Sequence, residues 1–175
     1  MATSPYEIYP VIAQIAGAFA GFGSLASGLG RERGGDDARM DAYRLEHMLE
    51  ASLSATLLGL LPATLSGLLT DSHLGVRASA VIAIIAILVY VPPSIIRARK
   101  IRHVAGFSMR ATVINSLCVW GSFAAFVLCA FDLPAGRAAD LYLVGLMGLL
   151  GSTVMLFSRV IVSMLLPHSN AGHSS

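Results

Sequence analysis

The amino-acid sequence predicts an all-α protein, a polytopic membrane bundle of about five transmembrane helices. Only 13% of its 175 residues are charged, well below the roughly 25% of typical soluble domains. Its apolar residues form long runs, and five of these approach or exceed the roughly 20 residues that a helix needs to cross the hydrocarbon layer. A soluble bundle with buried central helices is the alternative, but soluble helices keep a polar stripe that these runs lack.

We expect a single transmembrane domain over residues 1–166. Its spans are predicted near residues 8–29, 50–69, 78–96, 111–131 and 141–166. No Lys or Arg precedes the first run, and no cleavage site followed by a polar domain is present, so this run is predicted to be a retained span. Residues 167–175 are expected to form a flexible cytoplasmic tail.

Residues 30–49 are predicted to be a cytoplasmic loop that becomes a helical extension of the second span. Gly34 and Gly35 interrupt the chain, and Asp37 or the residue before it can cap a new helix. We expect this helix to begin near Asp37 and to enter the membrane without a break. His47, with Glu46, is expected to be solvated at the interface.

The distribution of basic residues predicts the orientation. Five spans place the first loop, the third loop and the carboxyl terminus on one side, where nine Lys and Arg residues lie, against two on the other side. The positive-inside rule then puts the amino terminus outside and the carboxyl terminus in the cytoplasm. The third loop is also expected to attract anionic lipid headgroups, through Arg97, Arg99, Lys100 and Arg102.

Small residues recur every fourth position in several spans. Lipid offers no hydrophobic force between helices, so small faces that let backbones approach closely are a principal means of packing. The stripes could face each other within the chain or face a second copy. The predicted packing residues are Gly17, Gly21, Ala55, Gly59, Ala63, Gly67, Gly145 and Gly148.

Prolines within the predicted spans leave carbonyl groups that need other partners. Pro62 removes the helical hydrogen bond to the Leu58 carbonyl, and Pro92 with Pro93 does the same further along the chain. We expect kinks at both places.

Two ionisable residues are predicted to lie at matching depths below the cytoplasmic face. Glu50 is close to the start of the second span and Arg159 is seven residues before Leu166. Because buried ionisable groups tend to pair within a bundle, the sequence predicts an ion pair between them, with Ser54 as an additional donor. Alternatively, Arg159 extends to the cytoplasmic surface and Glu50 lies among the headgroups.

Other side chains give no enzyme signature. No phosphate-binding loop, metal-binding pattern or nucleophile with a base at a recognisable spacing is present, so we expect no enzyme activity, metal or cofactor. Gln14 and Asn115 are candidates for interhelical hydrogen bonds or for lining a solute path.

Two resemblances bear on function. From Val91 the sequence reads VPPSIIRARKIRHVAGFSMRATVINSLCVW, which resembles the three-helix unit of the PQ-loop carriers, the SWEET and SemiSWEET families. This resemblance implies a sugar-carrier fold over the last hundred or so residues, with Asn115 and Trp120 on a substrate path, although Pro93 replaces the motif's glutamine. The first half, with AGAFAGFGSL and a span ending LLPATL, is similar to small bacterial inner-membrane proteins.

Two functions therefore remain open at this point. The sequence favours a small, self-associating structural or regulatory protein of the bacterial inner membrane. The alternative is a small-solute transporter or channel whose path passes near Glu50 and Arg159. No internal repeat of broken helices, the usual sign of a transporter, is evident in the sequence.

Overall fold

The computed structural model describes the backbone of residues 5–29, 36–69, 71–101 and 109–165, and the side chains of residues 6–25, 42–69, 71–96 and 109–162. Within these ranges the regular structure is entirely helical. The helices are α1 (Pro5–Leu29), α2 (Asp36–Leu68), α3 (Ser72–Ile101), α4 (Met109–Ala130) and α5 (Ala138–Leu165). All five are long and apolar enough to cross a membrane, which confirms the predicted membrane helix bundle.

The second helix begins where the sequence predicted. It starts at Asp36 and runs to Leu68 without interruption, although Pro62 lies inside it. Its apolar segment extends from Ala42 to Leu68. This segment starts earlier than the predicted second span, which was placed at residues 50–69. The third helix likewise starts at Ser72 rather than near residue 78 and continues through Pro92 and Pro93.

Helices α2 and α5 form the centre of the bundle. They pack against each other, and α1, α3 and α4 pack around them. The outward faces carry large apolar side chains, for example Leu57, Val89, Leu117 and Phe131. Exposure of so many apolar side chains is unfavourable in water but suits contact with lipid. The chain is therefore a multi-pass integral membrane protein.

Helices α1, α3 and α5 end at one end of this bundle, and α2 and α4 begin there. In the sequence, most of the Lys and Arg residues stand next to these helix ends. We call this end of the bundle the basic end. The predicted headgroup-binding side chains at positions 97, 99, 100 and 102 lie outside the described side chains.

The opposite end is closed by aromatic side chains. Tyr9, Phe126 and Tyr142 are fully buried there, and the Tyr142 ring centroid is 5.4 Å from that of Tyr9 and 5.2 Å from that of Phe126. Two hydrogen bonds join separate helices within this cluster. The Tyr9 hydroxyl donates to the Ala139 carbonyl at 2.8 Å and the Tyr142 hydroxyl to the Leu58 carbonyl at 2.6 Å.

The second of these bonds supplies the partner that Pro62 removes. Because proline has no N–H, the Leu58 carbonyl loses its donor within α2. The Tyr142 hydroxyl from α5 donates to that carbonyl instead. Pro62 itself is fully buried, and this hydrogen bond joins the two central helices beside it.

The connection between α4 and α5 is tightly organised at the same end. Arg77 of α3 donates from Nε to the Ala130 carbonyl at 3.0 Å, which satisfies a carbonyl in the last turn of α4. Asp132 has a φ of 53° and Gly136 a φ of 78°, and the Gly136 N–H donates to the Asp132 carboxylate at 3.1 Å. The positive φ favours glycine at position 136.

Several predicted small residues lie at helix contacts, and others do not. A Cβ added to Gly59 would lie 3.0 Å from the Ala13 Cβ and 3.1 Å from the Tyr9 carbonyl oxygen. Gly145 and Gly148 of α5 are similarly close to Phe126 and Ser122 of α4, and Ala55 is buried. The α1–α2 and α4–α5 packing is therefore intrachain at these positions.

Three of the other small residues, Gly21, Ala63 and Gly67, face outwards. Gly21 and Gly67 have nothing within 4 Å of an added Cβ, and Ala63 is exposed. Gly17 makes only ordinary contact, 3.8 Å from Thr56. Only part of each stripe is therefore covered within the chain.

Candidate functional site

A cavity opens between α2, α3, α4 and α5 in the half of the bundle nearest the basic end. Its volume is about 170 Å³, comparable with the roughly 150 Å³ cavity that holds a benzene-sized molecule in other proteins. Polar and apolar residues contribute to its wall in similar numbers, but no Asp or Glu is among the described residues that line it. Ser54, Asn115, Trp120 and Arg159, all singled out from the sequence, lie in this wall.

The middle of the cavity is crossed by a hydrogen bond between α4 and α5. The Ser152 hydroxyl donates to the Asn115 side-chain oxygen at 2.5 Å. This is the interhelical role expected for an uncharged polar residue in a membrane helix.

A second polar contact joins α2 to α3. His47 Nδ1 and the Tyr90 hydroxyl are hydrogen bonded at 2.7 Å, and the same nitrogen lies 3.4 Å from the Glu50 carboxylate. The Tyr43 ring, one turn earlier on α2, packs edge-on against His47 with centroids 4.3 Å apart. His47, Tyr43 and Tyr90 all line the cavity.

The prediction that His47 is a solvated interfacial residue is therefore wrong. Only 11% of its side chain is exposed. The helix places positions 43 and 47 on one face, and that face turns inwards onto Tyr90 rather than out to the headgroups. Glu46, one position away, is exposed as expected.

Arg159 lies in the cavity wall near its mouth. Its side chain is half-buried, on the part of α5 that runs towards the basic end.

The predicted ion pair between Glu50 and Arg159 is not tested by these contacts and stays a prediction. Both residues lie in the half of the bundle nearest the basic end, on helices that pack together. Glu50 also lies 3.4 Å from His47 Nδ1.

Trp120 lies at the deep end of the cavity. On α4 it is five residues beyond Asn115, which is about 7.5 Å further from the basic end at 1.5 Å per residue. Arg159 is seven residues beyond Ser152 in the other direction, about 10 Å. Because Asn115 and Ser152 are bonded to each other, the backbones of Trp120 and Arg159 are separated by on the order of 18 Å along the bundle.

Gln14 does not line this cavity. It is exposed on α1, and none of the described residues of α1 lines the cavity. The buried face of α1 carries Tyr9, Ile12 and Ala16, and the expectation that Gln14 contributes to a polar lining stays a prediction. Among the described residues no group of His, Cys, Asp and Glu could hold a metal ion.

Several lining residues were not predicted from the sequence. Tyr43, Tyr90 and Ser94 are in the wall although each lies near an end of a predicted span, where Tyr is common as an interface anchor. One signal was present: Tyr43 and His47 share a helix face. Nothing in the sequence indicated that Tyr90 lies opposite that face.

Comparisons with protein-family models, with curated proteins and with solved structures find no match to this chain.

Proposed function

We propose that this protein is a small-solute carrier of the membrane, and that the cavity between α2 and α5 and their neighbours is its substrate site. The observation that supports this most directly is the composition of the cavity wall. Polar residues from four helices converge on a space large enough for a small molecule, in a chain that is otherwise dominated by apolar side chains. Polar groups within a membrane are costly and usually mark a functional path.

The two ends of the bundle also differ in the way that a carrier requires. The cavity lies towards the basic end, whereas Tyr9, Phe126 and Tyr142 close the other end. A carrier exposes its site to one side of the membrane at a time. The basic end is proposed to be cytoplasmic on the charge distribution, so this conformation would be open to the cytoplasm.

The resemblance of α3 to α5 to the PQ-loop carriers favours the same class of function. It is independent of the cavity, because it rests on residues 91–120 as a sequence. Location in a bacterial inner membrane rests on the other resemblance, and both stay proposals.

Alternating access can be tested without knowing the substrate. Ser54→Cys would be made in a chain whose two cysteines, Cys118 and Cys129, are replaced by serine. The protein is reconstituted into sealed vesicles, and a membrane-impermeant thiol reagent is added to one side at a time. A carrier is expected to label quickly from the basic side and more slowly from the opposite side.

The matched control is Ser52→Cys. Ser52 is fully buried and lies on the same helix at nearly the same depth, but it is not in the cavity wall. It should resist labelling from both sides. Labelling of Ser54→Cys from the basic side alone would refute the carrier, and equal labelling of both variants would mean that the reagent does not report on the cavity.

A second candidate, a self-associating structural or regulatory protein, is favoured by the outward-facing small residues. Gly21 and Gly67 have open space around them, so another copy could approach closely there. Light scattering in detergent would give the oligomer mass in multiples of the 18.3 kDa chain. Replacing both glycines by leucine should reduce that mass, and a monomeric parent protein would rule out the association in detergent.

A further inference from the structure

We infer that His47 is a proton-binding site, and that its protonation opens the mouth of the cavity by weakening the contact between α2 and α3. The link from this event to transport rests on the proposed carrier function, in which the proton would be a second substrate. The basis of the inference is the position of one ring nitrogen between a hydroxyl group on α3 and a carboxylate on α2.

The His47 ring lies where a proton from water can reach it. Its side chain is only 11% exposed, but it lines the cavity in the half of the bundle nearest the basic end. It is five residues beyond Ala42, the first residue of the apolar segment of α2, which is about 7.5 Å along the helix. Histidine is the side chain that ordinarily changes its charge between about pH 5 and pH 8.

The two distances at Nδ1 indicate a neutral ring in this conformation. Nδ1 lies 2.7 Å from the Tyr90 hydroxyl oxygen and 3.4 Å from Glu50 Oε2. A charged N–H donor approaches a carboxylate to roughly 2.7–2.9 Å, so the longer distance to Glu50 fits a nitrogen lone pair that faces the carboxylate. The Tyr90 hydroxyl then donates to Nδ1 and joins α3 to α2.

Protonation reverses the role of this nitrogen. A proton from water at the mouth adds to the Nδ1 lone pair, and both ring nitrogens are then donors, so Nδ1 no longer accepts from Tyr90. A carboxylate binds a charged donor more strongly than a hydroxyl group does, and Glu50 is three residues further along the same helix. The ring is therefore drawn towards Glu50, and a contact between two helices is replaced by one within α2.

Other charged and titratable groups surround the ring besides the tyrosine of α3. On α2 the Tyr43 ring packs against it, and Arg44 and Glu46 are three residues and one residue earlier. On α5 Arg159 lies in the same cavity wall. None of the described lining residues of α4 is titratable, and no described residue of α1 lines the cavity. A carboxylate offers about four acceptor positions, so Glu50 can accept from the ring and also form the predicted pair with Arg159.

Helix α3 is suited to respond to the loss of this contact. Pro92 and Pro93 follow Tyr90 directly within the helix, and each removes one internal hydrogen bond. The segment from Tyr90 to Ile95 contributes to the cavity wall and is therefore held more by its contacts with neighbouring helices than an uninterrupted helix would be. Weakening the contact with α2 should let this segment move away and widen the mouth.

Proton binding is measured directly by nitrogen-15 spectroscopy of the histidine rings. The chain has five histidines, and replacing the other four by glutamine leaves the His47 ring as the single source of the signal. This ring is expected to change from the charged to the neutral form as the pH is raised from about 5 to about 8. A ring that keeps one form throughout would overturn the inference.

Opening of the mouth is measured with the thiol reagent on Ser54→Cys, added to the basic side at about pH 5.5 and about pH 8. Ser54 lies two turns beyond His47 on the same face of α2 and lines the cavity. Because acid slows the reaction of any thiol, each rate is divided by the rate of the same cysteine in a His47→Gln background at the same pH. The corrected rate should be roughly threefold to tenfold higher in acid, as expected for the loss of one hydrogen bond. A corrected rate that does not depend on pH would overturn the inference.

Two variants locate the effect. Tyr90→Phe removes the interhelical contact and leaves the titrating ring in place, so its corrected rate should be high at both pH values. The matched control is His73→Gln, because His73 is an exposed histidine of α3 at the opposite end of the bundle and should leave the pH response intact. A full pH response in Tyr90→Phe, or its loss in His73→Gln, would refute the assignment to His47.

The proposed carrier and this inference fail separately. Labelling of Ser54→Cys from both sides without the pH response would support a carrier and overturn the proton-binding role of His47. Labelling from the basic side alone, with the pH response, would refute the carrier and support a cavity that opens on protonation.

Discussion

Replacing Tyr142 by phenylalanine tests the bond that links the two central helices. The variant keeps the ring and its packing against Tyr9 and Phe126 and removes only the hydroxyl group that donates to the Leu58 carbonyl. Stranding a buried acceptor costs about 1–3 kcal/mol in proteins generally, and interhelical hydrogen bonds in membranes average nearer 0.6 kcal/mol with a maximum of about 1.7 kcal/mol. We expect a loss of about 1–2 kcal/mol in the free energy of unfolding, in the upper part of the membrane range.

The reason for this large value is Pro62. An ordinary helix carbonyl keeps its own helical donor when a side-chain bond is lost, but the Leu58 carbonyl has none. In the Pro62→Ala background the N–H of residue 62 can donate to Leu58, so Tyr142→Phe should then cost less than about 0.5 kcal/mol. Tyr9→Phe is the matched control, because its acceptor, the Ala139 carbonyl, lies inside α5 and has a helical donor.

Unfolding in mixed micelles, followed by circular dichroism as the fraction of dodecyl sulfate rises, gives the free energies for this cycle. The Tyr142→Phe cost should depend on residue 62, and the Tyr9→Phe cost should not. An equal cost of Tyr142→Phe in both backgrounds would refute the argument that the proline creates the need for this bond.

Three further predictions concern packing, charge and orientation. Gly59→Leu should lower the free energy of unfolding by about 1–3 kcal/mol or more, because the added side chain meets the backbone of α1. Gly67→Leu should change it by less than about 0.5 kcal/mol. Comparable losses in the two variants would contradict the contact at Gly59. If Glu50 and Arg159 form the predicted ion pair, Glu50→Gln and Arg159→Met should each lower the free energy of unfolding by roughly 3–5 kcal/mol. The double variant should recover part of that loss. Losses that are additive in the double variant would rule the pair out. A reporter fused to the carboxyl terminus should be active only in the cytoplasm, and activity on the other side would reject the predicted orientation.

The polar residues show most clearly where prediction from the sequence ended. Trp120 was selected through the resemblance to the PQ-loop carriers and Asn115 also as an uncharged polar residue within an apolar run, and both lie in the cavity wall. Gln14 was selected as a polar residue within an apolar run and is exposed on α1. An isolated polar residue in an apolar helix indicates a position with a polar contact or a functional role. Whether that position faces the bundle or the lipid depends on the rotation of the helix about its axis, which is set by the neighbours against which it packs.

His47 illustrates the same limit from the other direction. At the sequence level it stands beside Glu46 at the edge of an apolar run, which favours a solvated residue. Its burial depends on Tyr90, which is 43 positions away in the sequence. The sequence pattern of α2 alone contains no information about that partner.

The sequence by itself determined that the chain is a membrane protein with five apolar helices, because span length and charge depletion follow from transfer free energies that act on each segment separately. It also determined that Pro62 would leave the Leu58 carbonyl without a helical donor, because that loss is local. Tertiary structure alone decided that Tyr142 would supply the missing donor, that only part of each small-residue stripe would be covered, and that the polar residues of four helices would meet in one cavity. These outcomes depend on helix rotation and pairing, which are decided by the combined packing of α2 and α5 with their neighbours and are therefore not encoded in any single segment.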